Sequence, residues 1–242
     1  MSDISVPRLL HGKEAKLQCT ISGYFPDHLL VNWLRREAGK PDLFPVSPSD
    51  KYKLPVMDVT RQEDQTFTCT ASLIYTVSQK TDHGSEFICQ VGHPSLERPL
   101  EKRTGELDVE GIPVVNVIHV DTVSNDCLVA EVKGYYPGKT KVTWSRRSRT
   151  RGYEPCPLSD ADMEVKENED GTVSLSSRFK ATKPITSNEL QYKVSVEHKS
   201  LECLIETDIS AQKEGYFIIE KEGKRPVQKL KAEESPSLTK RS

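Results

Sequence analysis

The chain has 242 residues, 35% apolar and 29% charged, enough for one large domain or two of ordinary size with modest cores. Its 34 basic and 36 acidic side chains leave a formal net charge of -2, without the basic surplus of a phosphate-binding surface. No run of about 18 apolar residues encodes a membrane-spanning helix, and residues 1–12 lack the basic start and apolar stretch of a signal peptide, so the polypeptide reads as soluble: cytosolic, or a piece of a longer protein.

Along the chain the first clear element is an alternation, Leu17, Cys19 and Ile21, the period-two mark of a half-buried strand. Gly23-Tyr24-Phe25-Pro26 follows, and Trp33 stands ten residues after Gly23. Pro41-Asp42 punctuates the next stretch. Phe67, Cys69, Ala71 and Leu73 alternate again, and Phe87-Ile88-Cys89-Gln90-Val91-Gly92-His93 closes the set. A break falls near residues 108–112, with Gly111 and Pro113 marking it. The same series then returns. Leu128, Ala130 and Val132 lead into Gly134-Tyr135-Tyr136-Pro137, and Trp144 again stands ten residues after its glycine. Val173, Leu175, Ser177 and Phe179 match the third element, and Tyr192-Lys193-Val194-Ser195-Val196-Glu197-His198 the fourth.

Matches in one order mean a duplicated domain, and strands at this spacing with Pro-, Gly- and Asp-rich breaks predict an all-β fold of two antiparallel sandwiches in tandem. The expected boundaries are 1–109 for the first domain and 110–213 for the second. Residues 214–242 turn strongly charged apart from the apolar run 216–219, and read as a mostly disordered tail.

Taken together, Cys19, Trp33, Cys89, the Gly-Tyr-aromatic-Pro turn and the aromatic-x-Cys-x-Val-x-His pattern resemble the constant-type (C1) set of the immunoglobulin superfamily, over roughly residues 4–212. The likeness extends to heavy-chain constant regions, tapasin-like proteins and the membrane-proximal domains of signal-regulatory-type receptors. It implies a Cys19–Cys89 bridge with Trp33 packed on it, and assigns His93 and His198 to the fold signature. The first copy departs at Phe87, which stands where the family has a corner tyrosine. The second keeps Tyr192 and Trp144 but has Ala130 and Val194 at the bridge positions, and without a disulfide worth about 2–5 kcal/mol it is expected to be the less stable domain. The resemblance further implies a non-enzymatic binding or adhesion module with protein partners, pairing as a homo- or heterodimer through a sheet face, without cofactor, metal, nucleic acid or small-molecule substrate. Its implied place is extracellular, as part of an immune-type receptor, ligand or antigen-recognition protein. The rival readings are an endoplasmic reticulum (ER)-luminal antigen-presentation cofactor and an intracellular structural repeat protein.

Other features read more plainly. Cys69, on the face shared with Ala71 and Leu73, reads as a buried small hydrophobe. Cys127, Cys156 and Cys203 read as extra thiols, with three outcomes open: an internal bridge (Cys127 to Cys203 or Cys156 to Cys203), a bond between chains, or free thiols. Cys89 and His93 have a metal-like spacing, but the fold signature claims both. The sequence holds no nucleophile elbow, phosphate-cradling loop or HExxH. The basic run 145–151 reads as a solvated loop, with contact to an acidic partner as the alternative. The lysines of 221–231 are accompanied by Glu222 and flanked by Glu220, Glu233 and Glu234, which weakens a membrane-surface reading. The absence of an Asn-x-Ser/Thr sequon mildly lowers the extracellular reading.

Overall fold

The computed structural model describes residues 1–122, 125–148, 152–157, 161–180, 191–211, 217–221 and 228–230. It divides into two compact units, Met1–Ile112 with Glu169–Gly171, and Pro113–Asn168 with Thr172–Ser242.

The first unit contains β1 (Leu9–Leu10), β2 (Glu14–Tyr24), β3 (Leu30–Arg36), β4 (Leu43–Pro45), β5 (Tyr52–Lys53), β6 (Val59–Arg61), β7 (Phe67–Thr76), the single turn α1 (Gln79–Asp82), β8 (Glu86–Gly92), β9 (Leu100–Arg103) and β10 (Val109–Glu110). One sheet runs β2-β7-β5 with β6 also on β7, the other β4-β3-β8-β9, and β1 pairs in parallel with β10. Alternation decides the faces. Ala15, Leu17, Cys19 and Ile21 of β2 are buried, whereas Glu14, Lys16 and Ser22 are exposed. Each fully buried aliphatic of this kind contributes roughly 1.5–3 kcal/mol relative to exposure.

The second unit contains β11 (Val114–Thr122), β12 (Asn125–Tyr135), β13 (Lys141–Ser148), β14 (Gly152–Pro155), β15 (Ala161–Glu167), β16 (Val173–Lys180), β17 (Gln191–Glu197), β18 (Ile205–Ala211), β19 (Phe217–Lys221) and β20 (Gln228–Leu230). Its sheets run β11-β12-β16-β15 and β14-β13-β17-β18-β19-β20. The last two strands are short stretches inside the segment that composition reads as mostly disordered.

The two units repeat one another pair by pair. Leu17, Cys19 and Ile21 oppose Leu73, Ala71 and Cys69, and Leu128, Ala130 and Val132 oppose Phe179, Ser177 and Leu175. In the facing sheets Trp33 opposes Cys89 and Trp144 opposes Val194. The duplication seen in the sequence is thus a duplication of register. Each unit closes its own core, the first around Leu17, Trp33, Leu73, Phe87 and Cys89, the second around Leu128, Trp144, Phe179, Tyr192 and Val194.

Candidate functional site

The Gly-Tyr-aromatic-Pro turn and the distant histidine form one device, built twice. The ladder between β2 and β7 slips between Ser22 and Tyr24, and that between β12 and β16 slips between Val132 and Tyr135. Gly23 and Gly134 sit in these bulges at φ 71° and 74°. A Cβ at either would meet open space, so the glycine is there for the left-handed backbone and not for room. The bulge turns Tyr24 and Tyr135 into the core, at 8% and 2% exposure. The aromatic–proline bonds Phe25–Pro26 and Tyr136–Pro137 are cis. The Pro26 carbonyl lies 2.9 Å from His93 Nε2, and the Pro137 carbonyl 3.0 Å from His198 Nε2. Nδ1 of each ring accepts from the backbone N–H of the serine two residues on, Ser95 at 3.1 Å and Ser200 at 3.2 Å. An accepting Nδ1 places the proton of the neutral ring on Nε2, which then donates to the proline carbonyl. The rings stand edge-on to the buried tyrosines, Tyr24 to His93 at 6.0 Å and Tyr135 to His198 at 5.4 Å. Both ring nitrogens are therefore occupied by structural bonds. Among the described residues, no group of three His, Cys, Asp or Glu side chains is placed to hold a metal.

The centres of the two cores differ. Cys19 and Cys89, the pair that the resemblance joins, are both buried in the first core. The Cys19 thiol donates to the Ser2 carbonyl at 3.2 Å, and Cys89 stands in the same core opposite Trp33. Burial first, then its cysteine neighbours, pushes the Cys89 thiol up to about 12, so it is not a nucleophile at neutral pH. Cys69 is buried as expected, its Sγ 3.9 Å from Met57 Sδ. In the second unit Ala130 and Val194 fill the equivalent space. There the Trp144 indole N–H donates to Ser177 Oγ at 2.9 Å, and its ring stacks on Phe179 at 5.3 Å. The first unit has Ala71 at the position of Ser177. Phe87, at the corner position, packs against Tyr75 and Tyr52 instead, while Tyr192 is buried in the second core.

The sequence did not point to Asp82. Its carboxylate is fully buried, 2.7 Å from Lys51 Nζ and 3.4 Å from Arg35 Nη2, and it accepts from the Ser78 N–H at 2.8 Å. Burial raises the phenols of Tyr52 and Tyr75, and the Asp82 charge adds to both. The only signal was local: an acidic residue in Asp82-His83-Gly84, just before a strong strand. A buried carboxylate with two cations and a backbone donor ties β3 and the β5 approach to the start of β8, and removing one partner of such a pair costs about 3–5 kcal/mol.

The remaining thiols fall apart. Cys127 is half-buried on β12, Cys156 half-buried just past β14, and Cys203 exposed just before β18. The Pro137–His198 bond sets the start of the β17–β18 connection beside the far end of β12, eight residues from Cys127. That is roughly 25 Å along the strand. Cys156 N–H bonds to the Trp144 carbonyl, three strand steps from β18, or about 14 Å. Disulfide Cα atoms lie within about 7 Å, so neither internal bridge weighed for Cys203 fits this topology. Cys156 instead lines a cavity of about 170 Å³ with Arg146, Glu154, Phe179 and Tyr192, smaller than the roughly 300 Å³ at which drug-sized sites begin.

Two outer faces of the second unit can meet a partner. On β11 and β12, Val114 and Ile118 are 57% and 41% exposed beside half-buried Val129 and Cys127. On the other sheet Lys193 bonds Glu206 at 2.9 Å and lies over the Tyr153 ring, whose hydroxyl donates to Asp208. Of the basic run, exposed Arg147 donates to Gln191 Oε1 at 2.6 Å; residues 149–151, like Lys224 and Lys231 of the C-terminal segment, lie outside the described residues.

Residues 5–96 match the family model described as the immunoglobulin C1-set domain. Tapasin of Gallus gallus is 31% identical over 90 residues, which are 37% of this chain and 20% of that protein. The chain thus spans about a fifth of the length of the curated relative it matches. The match identifies an immunoglobulin C1-set domain at residues 5–96, and the second unit repeats the registers of that two-sheet sandwich.

Proposed function

We propose that the chain is a protein-binding module of immune recognition that works in an oxidising compartment, at the cell surface or in the lumen of the secretory pathway, and catalyses nothing itself. C1-set domains are in general binding modules without catalysis. The observation that carries the reading is the pair Cys19 and Cys89, both buried in one core with Trp33. In an oxidising environment the two form a disulfide, and domains of this size gain about 2–5 kcal/mol from such a bridge. The candidate contact face is the outer face of β11 and β12, where exposed Ile118 stands opposite Val129 and Val114 is exposed beyond the polar pair Asn116 and Glu131, a mixed surface suited to pairing through a sheet face. Exposed Cys203 is the candidate for a bond between chains, ahead of half-buried Cys127 and Cys156.

The likeness to tapasin favours a luminal antigen-presentation cofactor as the second reading. The bridge-free second core favours an intracellular repeat protein as the third.

Proximity labelling with the intact gene product separates the three. Labelled surface or luminal proteins support the proposal, peptide-loading proteins of the ER among them would favour the second reading, and an exclusively cytosolic set would overturn both.

A further inference from the structure

One edge strand of the first unit differs from its duplicate. In the second unit β15 is seven residues long and carries Asp162, Glu164, Lys166 and Glu167. Charge along a terminal strand is a usual guard against unwanted pairing. In the first unit the same place is held by β6, Val59-Thr60-Arg61, which among the described residues pairs with β7 alone. The registers equate Arg61, opposite Phe67, with Glu167, opposite Val173. The hairpin bond from the Gln62 N–H to the Thr66 carbonyl sets the phase of the ladder. The N–H and C=O groups of Val59 and Arg61 therefore point away from β7, toward the open edge.

Arg61 is an oriented cation on this edge. Arg8, Arg35, Arg36 and Arg103 each pair with a carboxylate. Among the described residues no carboxylate stands within ion-pair distance of Arg61. Its guanidinium donates to Gln65 Oε1 and lies over the Phe67 ring, 6.0 Å from the centroid. Gln65 makes that bond from φ 71°, the only non-glycine residue in the left-handed region among the described residues. In the duplicated turn, where Asn168 and Thr172 make the same hairpin bond, Gly171 stands at φ 82°. A side chain kept at a strained position that glycine fills elsewhere points to a function for that side chain. Around the guanidinium, Phe25 is 64% exposed and stacks parallel to Phe67 at 6.5 Å, and Val59 is 50% exposed. An exposed guanidinium without a counter-ion, set between apolar side chains and beside open main-chain groups, complements an extended chain that carries a carboxylate.

We propose that the edge of β6 is a docking site for an extended strand of a partner protein, with a carboxylate side chain opposite Arg61 and an apolar one two residues away opposite Val59. Such a strand takes up the outward main-chain groups of both residues, the usual chemistry of strand addition to a sheet edge. It also sets carboxylate against guanidinium as a cross-strand pair and covers exposed Val59. Gln65 is the positioning residue for Arg61. The site lies wholly in the first unit, so it stands or fails apart from the outer face of β11 and β12.

The test is a titration of the full chain, followed at its backbone amides by NMR, with the capped synthetic peptide Thr-Val-Thr-Glu-Thr-Val-Thr, which sets a valine two residues from its glutamate in either strand direction. The largest shifts are expected at Val59 and Arg61. A peptide with glutamine in place of the glutamate is expected to bind more weakly, by up to on the order of fivefold for one cross-strand charge pair. Arg61→Gln should bind both peptides at that weaker level. Val59→Pro, which removes an outward N–H, should weaken both further. Gln65→Gly is expected to keep or raise the melting midpoint of the first domain while weakening the glutamate peptide, an effect on binding that a merely structural glutamine would not have. All three substitutions are at exposed positions, and the fluorescence of Trp33 serves as the folding control. An absence of shifts at Val59 and Arg61 with millimolar peptide would overturn the docking edge. Equal binding of the two peptides by the unaltered protein would overturn the acidic partner, and unchanged binding by Gln65→Gly would overturn the positioning role.

Discussion

His93 reaches back 67 residues to donate from Nε2 to the carbonyl of Pro26, and His198 repeats the bond to Pro137 across 61 residues. The histidine that ends one strand therefore fastens the turn that ends another, and it does so as a neutral ring that accepts a serine N–H on its other side. Replacing His198 by alanine leaves the Ser200 N–H without this partner in a buried setting, and should cost about 1–3 kcal/mol. For a domain of this size each kcal/mol lowers the melting midpoint by about 4–8 °C. The half-buried His93 should show the same effect at smaller size. Trp33 and Trp144, one in each core, allow the two transitions to be followed in variants that keep a single tryptophan.

The Trp144–Ser177 bond stands in the second core beside the residues that replace the bridge. Ser177→Ala would leave the indole N–H buried without its acceptor, and is expected to lower the stability of the second domain by about 1–3 kcal/mol. The comparison is Ala71→Ser at the matching position of the first domain, where no gain of that size is expected. Chemical denaturation followed at each tryptophan checks both.

In the fully reduced protein the thiols should react in the order of their exposure. Cys203 is expected to be alkylated first, Cys156 and Cys127 more slowly, with Cys127 further slowed because burial raises its thiol. Cys19, Cys69 and Cys89 should react only on unfolding, Cys89 being held as the thiol by its pKa near 12. Pulsed alkylation with peptide mapping reads the order directly.

Acid should loosen the outer face of the second domain. The hydrogen bond from Lys193 holds the Glu206 carboxyl below its ordinary 4.5, with the Ser195 hydroxyl assisting. A carboxylate whose folded pKa is depressed stabilises the fold above its unfolded pKa, and that contribution is lost as pH falls through the folded value. Glu206→Gln should therefore be less stable than the unaltered protein at pH 7, by under about 1 kcal/mol for a partly exposed pair. The difference should vanish well below pH 4.5. Thermal midpoints of both proteins across that range decide it.

Much of the fold was legible because it is written locally. Leu17, Cys19 and Ile21 alternate because one face of β2 is buried, and Gly23 and Gly134 recur because a bulge needs a left-handed residue. Features that depend on partners far along the chain were not legible. Neither the histidine–proline bonds nor the place of Asp82 between Arg35 and Lys51 follows from spacing. The choice between pairings of Cys203 needed the strand order, which composition does not carry. The apolar run in the charged C-terminal segment was visible, yet three or four apolar residues do not reveal that β18 offers an edge for them.

The most direct test of the account is disulfide mapping, without reduction, of the full chain made in an oxidising host. The account predicts a Cys19–Cys89 crosslinked peptide, Cys69 as a free thiol, and no bridge within the second domain. Recovery of Cys19 or Cys89 as free thiols would contradict it.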